Sequence, residues 1–487
     1  MLPDVRLLAG DDFLSAGVLA GRLRKAGSKE AVRWFRDASS AASSAAQSCP
    51  PGPESWLARL RWARIYHTIG SAALAARIPG TVAAARRLRE EAFEIIGKTI
   101  SAEPGRRPAP PRNALRSDEI VWGRAAARLD LGGGWTDTPP YSLERGGRVI
   151  NAAVDLNGQP PIHVYARVIE ELEIRIASID HGSRVRIRDL SELLDYRNPA
   201  SGFGLAKAAL ALSGFSHEHA RWTSRTKTLQ DMLKSFGGGL EISTLAAIPS
   251  GSGLGTSSIM GAVLAAVVLR MTGREPTAAE LFHRVLQLEQ ELTTGGGWQD
   301  QIGGVLPGVK VITTEPGLVP DPLVHDVPAD VLDPRINGGT TLLYYTGIRR
   351  LAKNILRTVV GQYLDRDETA MGTLAELHAF PPKMAEAMSR KDSRRFGELI
   401  DLAWRLNKRL DPDSTTSEIE AVLAGIRRRI HGAKLLGAGG GGFLLIACRS
   451  KADAAEVRNG LEQHPPNSRA RFFTYEIASR GLQVTVC

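Results

Sequence analysis

The chain has 487 residues, 43% hydrophobic and 23% charged, enough to bury two or three cores without cross-links. Its three cysteines, Cys49, Cys448 and Cys487, stand far apart and form no CxxC or Cys/His cluster, which argues against a disulfide framework or structural zinc and for a reducing cytoplasm. The net charge of +10 is concentrated early, with 19 Lys+Arg against 10 Asp+Glu in residues 1–116. These bases lie on Ala-rich helical stretches without interleaved aromatics, so a solvated or domain-docking face is expected rather than a nucleic-acid surface.

The opening MLPDVRLLAGDD carries acids and lacks the basic start and long apolar run of a secretory signal. Helices are expected at Trp56 to Arg77 and Thr81 to Lys98, split by Pro79-Gly80. The Ser-, Ala- and Pro-rich stretch Ser39 to Pro53 reads as a flexible connection, and Pro104 to Pro111 as a linker. From Ile120 the pattern changes to short strands: Val121 to Leu131, Val149 to Leu156, Ile162 to Val168, Leu172 to Ile179, Val185 to Arg188 and Leu240 to Leu245. Helices follow at Ser257 to Met271 and Ala278 to Leu292; the apolar run Ile259 to Leu269 is too short for a bilayer and reads as a buried helix. Further strands are expected at Thr340 to Tyr345 and Phe443 to Cys448, with helices near Ala352–Leu364, Phe396–Leu410 and Ile419–Ile430. Long helices mixed with strands point to an α+β fold. The expected units are 1–115 (helical region and linker), 116–320 and 321–487.

The fifty glycines exceed the usual share of about 7% and cluster at four places. The sharpest cluster is Pro249-Ser250-Gly251-Ser252-Gly253-Leu254-Gly255-Thr256-Ser257-Ser258, between an expected strand and an apolar helix. Free N–H groups and the helix dipole make such a junction an anion site. It lacks the Lys of a Walker loop and the spacing of a dinucleotide fingerprint; a tight turn with capping serines is the bland alternative. The first cluster, Gly132 to Gly134, sits between Arg128 and Asp137. It presents either a phosphate- or carboxylate-pairing guanidinium and a sugar-binding carboxylate, or a plain hairpin with an ion pair. The third, Gly295 to Gly297, separates Glu289 from Asp300, whose carboxylate either takes a proton from an attacking hydroxyl or is a turn residue. The fourth, Gly437 to Gly442, runs straight into an apolar strand. Trp135, Trp298 and Tyr141 either stack on a sugar or fill the core.

These clusters, in this order, resemble the GHMP kinases from about residue 120 onward. The resemblance implies a two-lobed fold, a ribosomal-protein S5-like N-lobe plus a ferredoxin-like C-lobe, here preceded by an α-helical region. It implies ATP on Pro249 to Ser258, Mg²⁺ on Ser257 and Glu289, and Asp300 as catalytic aspartate with Arg128 beside it. Asp137, Trp135, Gly297, Gly439 and Gly440 would face the sugar, and strands between Ile162 and Arg188 and the segment Ser201–Leu210 are candidates for adenine. Gly134 and Trp135 replace the Glu-His of galactokinase's GEHTD motif, which speaks against galactose. The phrases GGGWTDTPPY, LNGQPPI, SGFGLAKAAL, GGGWQDQIGG, WRLNKRLDP and RGLQV look like the L-fucokinase branch, in which the kinase can be fused to a nucleotidyltransferase making GDP-fucose. Residues 1–100 are too short and too helical for that enzyme and resemble the helical segment before the kinase in those fusions. The expected reaction is phosphorylation of the anomeric hydroxyl of L-fucose, with sugar and ATP as partners and neither nucleic acid nor membrane involved. Alternatives are a heptose 7-phosphate kinase and a non-catalytic sugar-sensing protein.

Overall fold

Among the described residues of the first hundred or so, Ala, Leu and Arg at helical spacing give four helices, Ala16–Ala26, Ser28–Gln47, Trp56–Ala75 and Val82–Ser101. The computed structural model describes residues 14–47, 55–101, 107–198, 200–249, 251–292, 295–348 and 352–487. The expected flexible stretch is corrected as far as it is described: residues 39–47 continue the helix Ser28–Gln47. The Ser39 hydroxyl donates back to the Phe35 carbonyl at 2.7 Å and Ala42 is buried, so the Ser/Ala composition is spent inside a helix. The rest of that stretch, Cys49, the opening twelve residues and the first part of the Pro/Arg linker lie outside the described residues. The helices share a core with Leu143, Leu286, Val360 and Leu364 from later in the chain.

Three sheets follow. The first runs, edge to edge, Gln483–Val486, Val121–Ala125, Ile162–Ile169, Gly239–Ala246, Ile174–Ser178 and Ser183–Ile187. All its neighbours are antiparallel except Ile174–Ser178 with Gly239–Ala246. The second runs Tyr475–Ile477, Gly147–Leu156, Val309–Thr314 and Pro322–Val327, with Ala127–Gly132 also pairing Gly147–Leu156. The stretch expected as one strand from Val121 to Leu131 is thus two strands that break at Ala126 and join different sheets. The third runs Ile430–Leu435, Phe443–Cys448, Thr341–Tyr345 and Arg471–Phe473, backed by the helix Ser393–Leu410.

The expected boundary at 320 falls within a hairpin, because Pro322–Val327 pairs Val309–Thr314. The last strands return to the earlier sheets: Tyr475–Ile477 pairs Gly147–Leu156, and Gln483–Val486 pairs Val121–Ala125. The helix Thr256–Met271 is buried nearly all round, and no helix among the described residues is long and apolar enough to cross a membrane. The α+β class expected from the sequence is the class observed.

Candidate active site

The strand Gly239–Ala246 leads to a loop in which Gly251, Gly253 and Gly255 take φ of 70°, 77° and 75°, and the helix Thr256–Met271 begins at once. A left-handed backbone is open to glycine at little cost. At Gly253 space also demands it, since a Cβ would lie 2.3 Å from the Leu436 carbonyl oxygen. The loop therefore rests on the C-terminal glycine cluster, and the Phe443 amide donates to the Ser252 carbonyl at 3.0 Å. Gly253, Gly255, Ser257 and Ser258 line a cavity of about 310 Å³. Leu254 and Ser252 are buried behind them, and the Ser252 hydroxyl lies 3.3 Å from that of Thr256. Pro249 faces a smaller recess with Tyr345, Arg469 and Arg471. Ser250 lies outside the described residues, as do Thr293 and Thr294.

Asp300 opens the helix Gln299–Val305 and sits against the start of Thr256–Met271; a Cβ on Gly255 would be 3.1 Å from the Asp300 Cβ. Arg128, on the strand Ala127–Gly132, is buried and makes an ion pair with Asp300. Burial by itself would lower the Arg128 guanidinium, but the Asp300 and Asp130 carboxylates offset it and leave it raised. The Arg128 Nε and Nη1 are buried and have no partner among the described residues, so donors remain for a ligand oxygen. Asp137 lies across the cavity on the loop after Gly132–Gly134 and accepts from the Gln299 amide at 3.1 Å. Burial first, then the charge of Asp300, push its carboxyl up to about 7. Gly297 is where this arrangement needs glycine most, because a Cβ there would lie 2.1 Å from the Asp137 Oδ2.

Beneath these residues is a buried support that the sequence reading did not single out. Asp130 pairs with Lys434, whose Nζ also donates to the Asp130 carbonyl at 2.9 Å, and accepts from the Gln299 side chain at 3.1 Å. Burial would raise the Asp130 carboxyl, but Lys434 and then Arg128 hold it below its ordinary range. The signal was present: a lone acid in Leu129-Asp130-Leu131 and a lone base in Ala433-Lys434-Leu435, each flanked by apolar strand residues.

The Ser258 hydroxyl donates to Glu289 Oε1 at 2.6 Å, so Glu289 meets the helix start through Ser258, with Ser257 lining the cavity next to it. Trp135 lines the cavity at φ 77°, a left-handed conformation rare for a bulky residue. Trp298 is in the core, and Tyr141 packs edge-on against Tyr363 at 5.5 Å. From the fourth cluster, Gly437 and Ala438 line the cavity. Gly439 and Gly440 instead back onto Ser414, whose carbonyl accepts from the Gly440 amide at 2.5 Å. None of residues 162–188 or 201–210 lines this cavity.

Amides at a helix start, a serine–glutamate oxygen pair and an arginine-held aspartate form one site able to bind phosphate and take a proton. Two family descriptions match the chain, "GHMP kinases N terminal domain" over residues 224–308 and "GHMP kinases C terminal" over residues 384–467. The chain thus carries matches to both the N-terminal and the C-terminal domain of the GHMP kinases. The chain is 40% identical over 396 residues to the L-fucokinase/L-fucose-1-P guanylyltransferase of Bacteroides fragilis, covering 81% of this chain and 42% of that one. It is 33% identical over 383 residues to the bifunctional fucokinase/GDP-fucose pyrophosphorylase of Arabidopsis thaliana, covering 77% and 34%. The chain thus spans less than half the length of these curated relatives. The Lactococcus lactis galactokinase complexed with galactose has the same fold, with a TM-score of 0.55 at 16% identity over 75% of this chain and 95% of that one.

Proposed function

We propose that this protein acts as a GHMP kinase and transfers the γ-phosphoryl group of ATP to the anomeric hydroxyl of L-fucose, giving fucose 1-phosphate and ADP. The observation that carries the reading is the Arg128–Asp300 pair, set between the amide-rich start of Thr256–Met271 and Asp137. The phosphate chain of ATP would lie on the Gly253–Ser258 amides. Asp137 accepts from sugar hydroxyls, and Trp135 offers an apolar wall. The anomeric oxygen bonds to the γ-phosphorus, its proton passes to Asp300, and the bond to the bridging oxygen of ADP breaks. Positioning and charge neutralisation carry most of such a transfer.

Magnesium fits the oxygens present. Ser257, Ser258 and Glu289 are hard donors, and the described residues hold no cluster of three or more His, Cys, Asp or Glu arranged around one ion. That is the donor set of a cation that shares its coordination with substrate phosphates and water, and it would supply charge neutralisation on those phosphates. The similarity to the two named fucokinases supports L-fucose as the sugar. Free thiols at Cys448 and Cys487 accord with a cytoplasmic setting, and a fused or separate nucleotidyltransferase would consume the product.

The test is the identity of the product. Phosphorus and proton NMR of the reaction with L-fucose and Mg·ATP should show phosphate on C1, and Asp300→Asn should form almost none. Phosphate on another carbon, or equal turnover by Asp300→Asn, would overturn the reading.

A further inference from the structure

The four N-terminal helices do more than precede the kinase. Arg64, on Trp56–Ala75, makes an ion pair with Glu144, the two side chains being 11% and 12% exposed. Glu144 belongs to the short helix Tyr141–Arg145, which continues the loop bearing Trp135 and Asp137 after only three residues. The same carboxylate accepts from the Tyr363 hydroxyl and, at 3.4 Å, from Arg366, both at or just beyond the end of the helix Ala352–Leu364. Leu143, next to Glu144, is buried in the core of the N-terminal helices rather than in that of the kinase. The helix Ala352–Leu364 is held from the same side. His67 Nδ1 lies 2.8 Å from Asp365 Oδ1, Arg357 pairs with Glu90, and a Cβ on Gly361 would be 3.1 Å from the His67 ring. That helix contributes Leu356 to the wall of the catalytic cavity.

Two walls of the cavity, the sugar loop and Leu356, are therefore anchored on the N-terminal helices. The helix Ala278–Glu291, which carries Glu289, also meets the N-terminal helices through Leu286, but the phosphate loop itself is anchored elsewhere, on Leu436, Phe443 and the main core. From this asymmetry we propose that Arg64 is a positioning residue: through Glu144 it holds the sugar loop, and with it Asp137, in register for catalysis. Residues 14–101 are then a working part of the sugar site. A buried guanidinium suits this task, because it stays charged and its planar donor set is rigid.

The proposal rests on the assignment of Asp137 to the sugar, so its test has one arm that needs no turnover. In the full chain, Arg64→Met and Arg64→Lys are compared with wild type for amide hydrogen exchange over residues 133–146 and over residues 251–258, and for ATP affinity by direct binding. Exchange should rise over 133–146 in Arg64→Met, stay unchanged over 251–258, and return part of the way in Arg64→Lys. With L-fucose, kcat/KM for the sugar should fall on the order of 10²-fold, as for a group misplaced by about 1 Å, while ATP binding holds within about twofold. Glu144→Gln should reproduce the Arg64→Met pattern if the full charge pair is what positions the loop. Unchanged exchange over 133–146, or equal losses at the sugar and ATP sites, would overturn the positioning role. Failure to phosphorylate L-fucose with the exchange pattern intact would instead fault the substrate.

Discussion

Replacing Lys434 by Met should destabilise the protein, and the structure gives the size. Lys434 lies on Ile430–Leu435 and Asp130 on Ala127–Gly132, so their ion pair joins the third sheet to the second. Both side chains are almost wholly buried, at 1% and 5% exposure. Methionine fills similar volume, so the change removes the ammonium with little cavity cost. It strands the Asp130 carboxylate, leaving it the Gln299 amide at 3.1 Å and the nearby Arg128 charge, and frees the Asp130 carbonyl that Nζ reached at 2.9 Å. Breaking a buried pair on one side costs roughly 3–5 kcal/mol, and the remaining partners place this case near the lower end, about 3 kcal/mol. Urea unfolding at pH 7 would measure it. Because the Asp130 carboxyl is held below its ordinary range, its contribution is present above about pH 4 and is lost as pH falls further, while burial lowers Lys434, so the ammonium offsets part of that gain. Adding Asp130→Asn removes the stranded charge and should recover at least about 1 kcal/mol of coupling. A loss below about 1 kcal/mol for Lys434→Met, or no recovery in the double variant, would refute the reasoning.

Asp300→Asn should lower kcat by roughly 10² to 10⁴, the range of an acid–base group, with ATP affinity kept; near-normal turnover would remove Asp300 from the chemistry. Gly297→Ala puts a Cβ 2.1 Å from Asp137 Oδ2 and should raise the sugar KM with little effect on that of ATP, as steady-state kinetics would show. Because the Asp137 carboxyl titrates at about 7, kcat/KM for the sugar should rise with pH through that value, and Asp137→Asn should lose this limb. The same raised value means that charging Asp137 costs stability as pH rises from about 4 through about 7, so Asp137→Asn should gain more thermal stability over wild type at pH 8 than at pH 5. Ser258→Ala should release Glu289 and raise the magnesium needed for half-maximal rate, and Ser257→Ala should do so if that hydroxyl is a ligand; unchanged titrations for both would dismiss the cation site.

Local signals were legible where one short stretch carries the whole cause. The turns of the loop at Gly251 to Gly255 could be read because glycine is the residue that tolerates both the left-handed backbone and the close backbone contacts found at Gly253. The helix expected near Ala352–Leu364 is found over those residues. Properties set by distant partners were not legible. Nothing near Ala126 announces that Val121–Ala125 and Ala127–Gly132 join different sheets, since that depends on pairing with Ile162–Ile169 and Gly147–Leu156. Gly439 and Gly440, set toward the sugar by the resemblance, pack on Ser414, a partner that the glycine run itself does not announce. Arg64 looked like one more base on a charged helix; its partner is 80 residues further on.

The most direct test of the account is ADP release from Mg·ATP across free sugars and sugar phosphates, with the Asp300→Asn protein as blank. Turnover with L-fucose and its close 6-deoxy relatives, absent from the blank and absent with heptose phosphates, is the predicted result. Turnover confined to a heptose phosphate, or none with any sugar while ATP still binds, would contradict it.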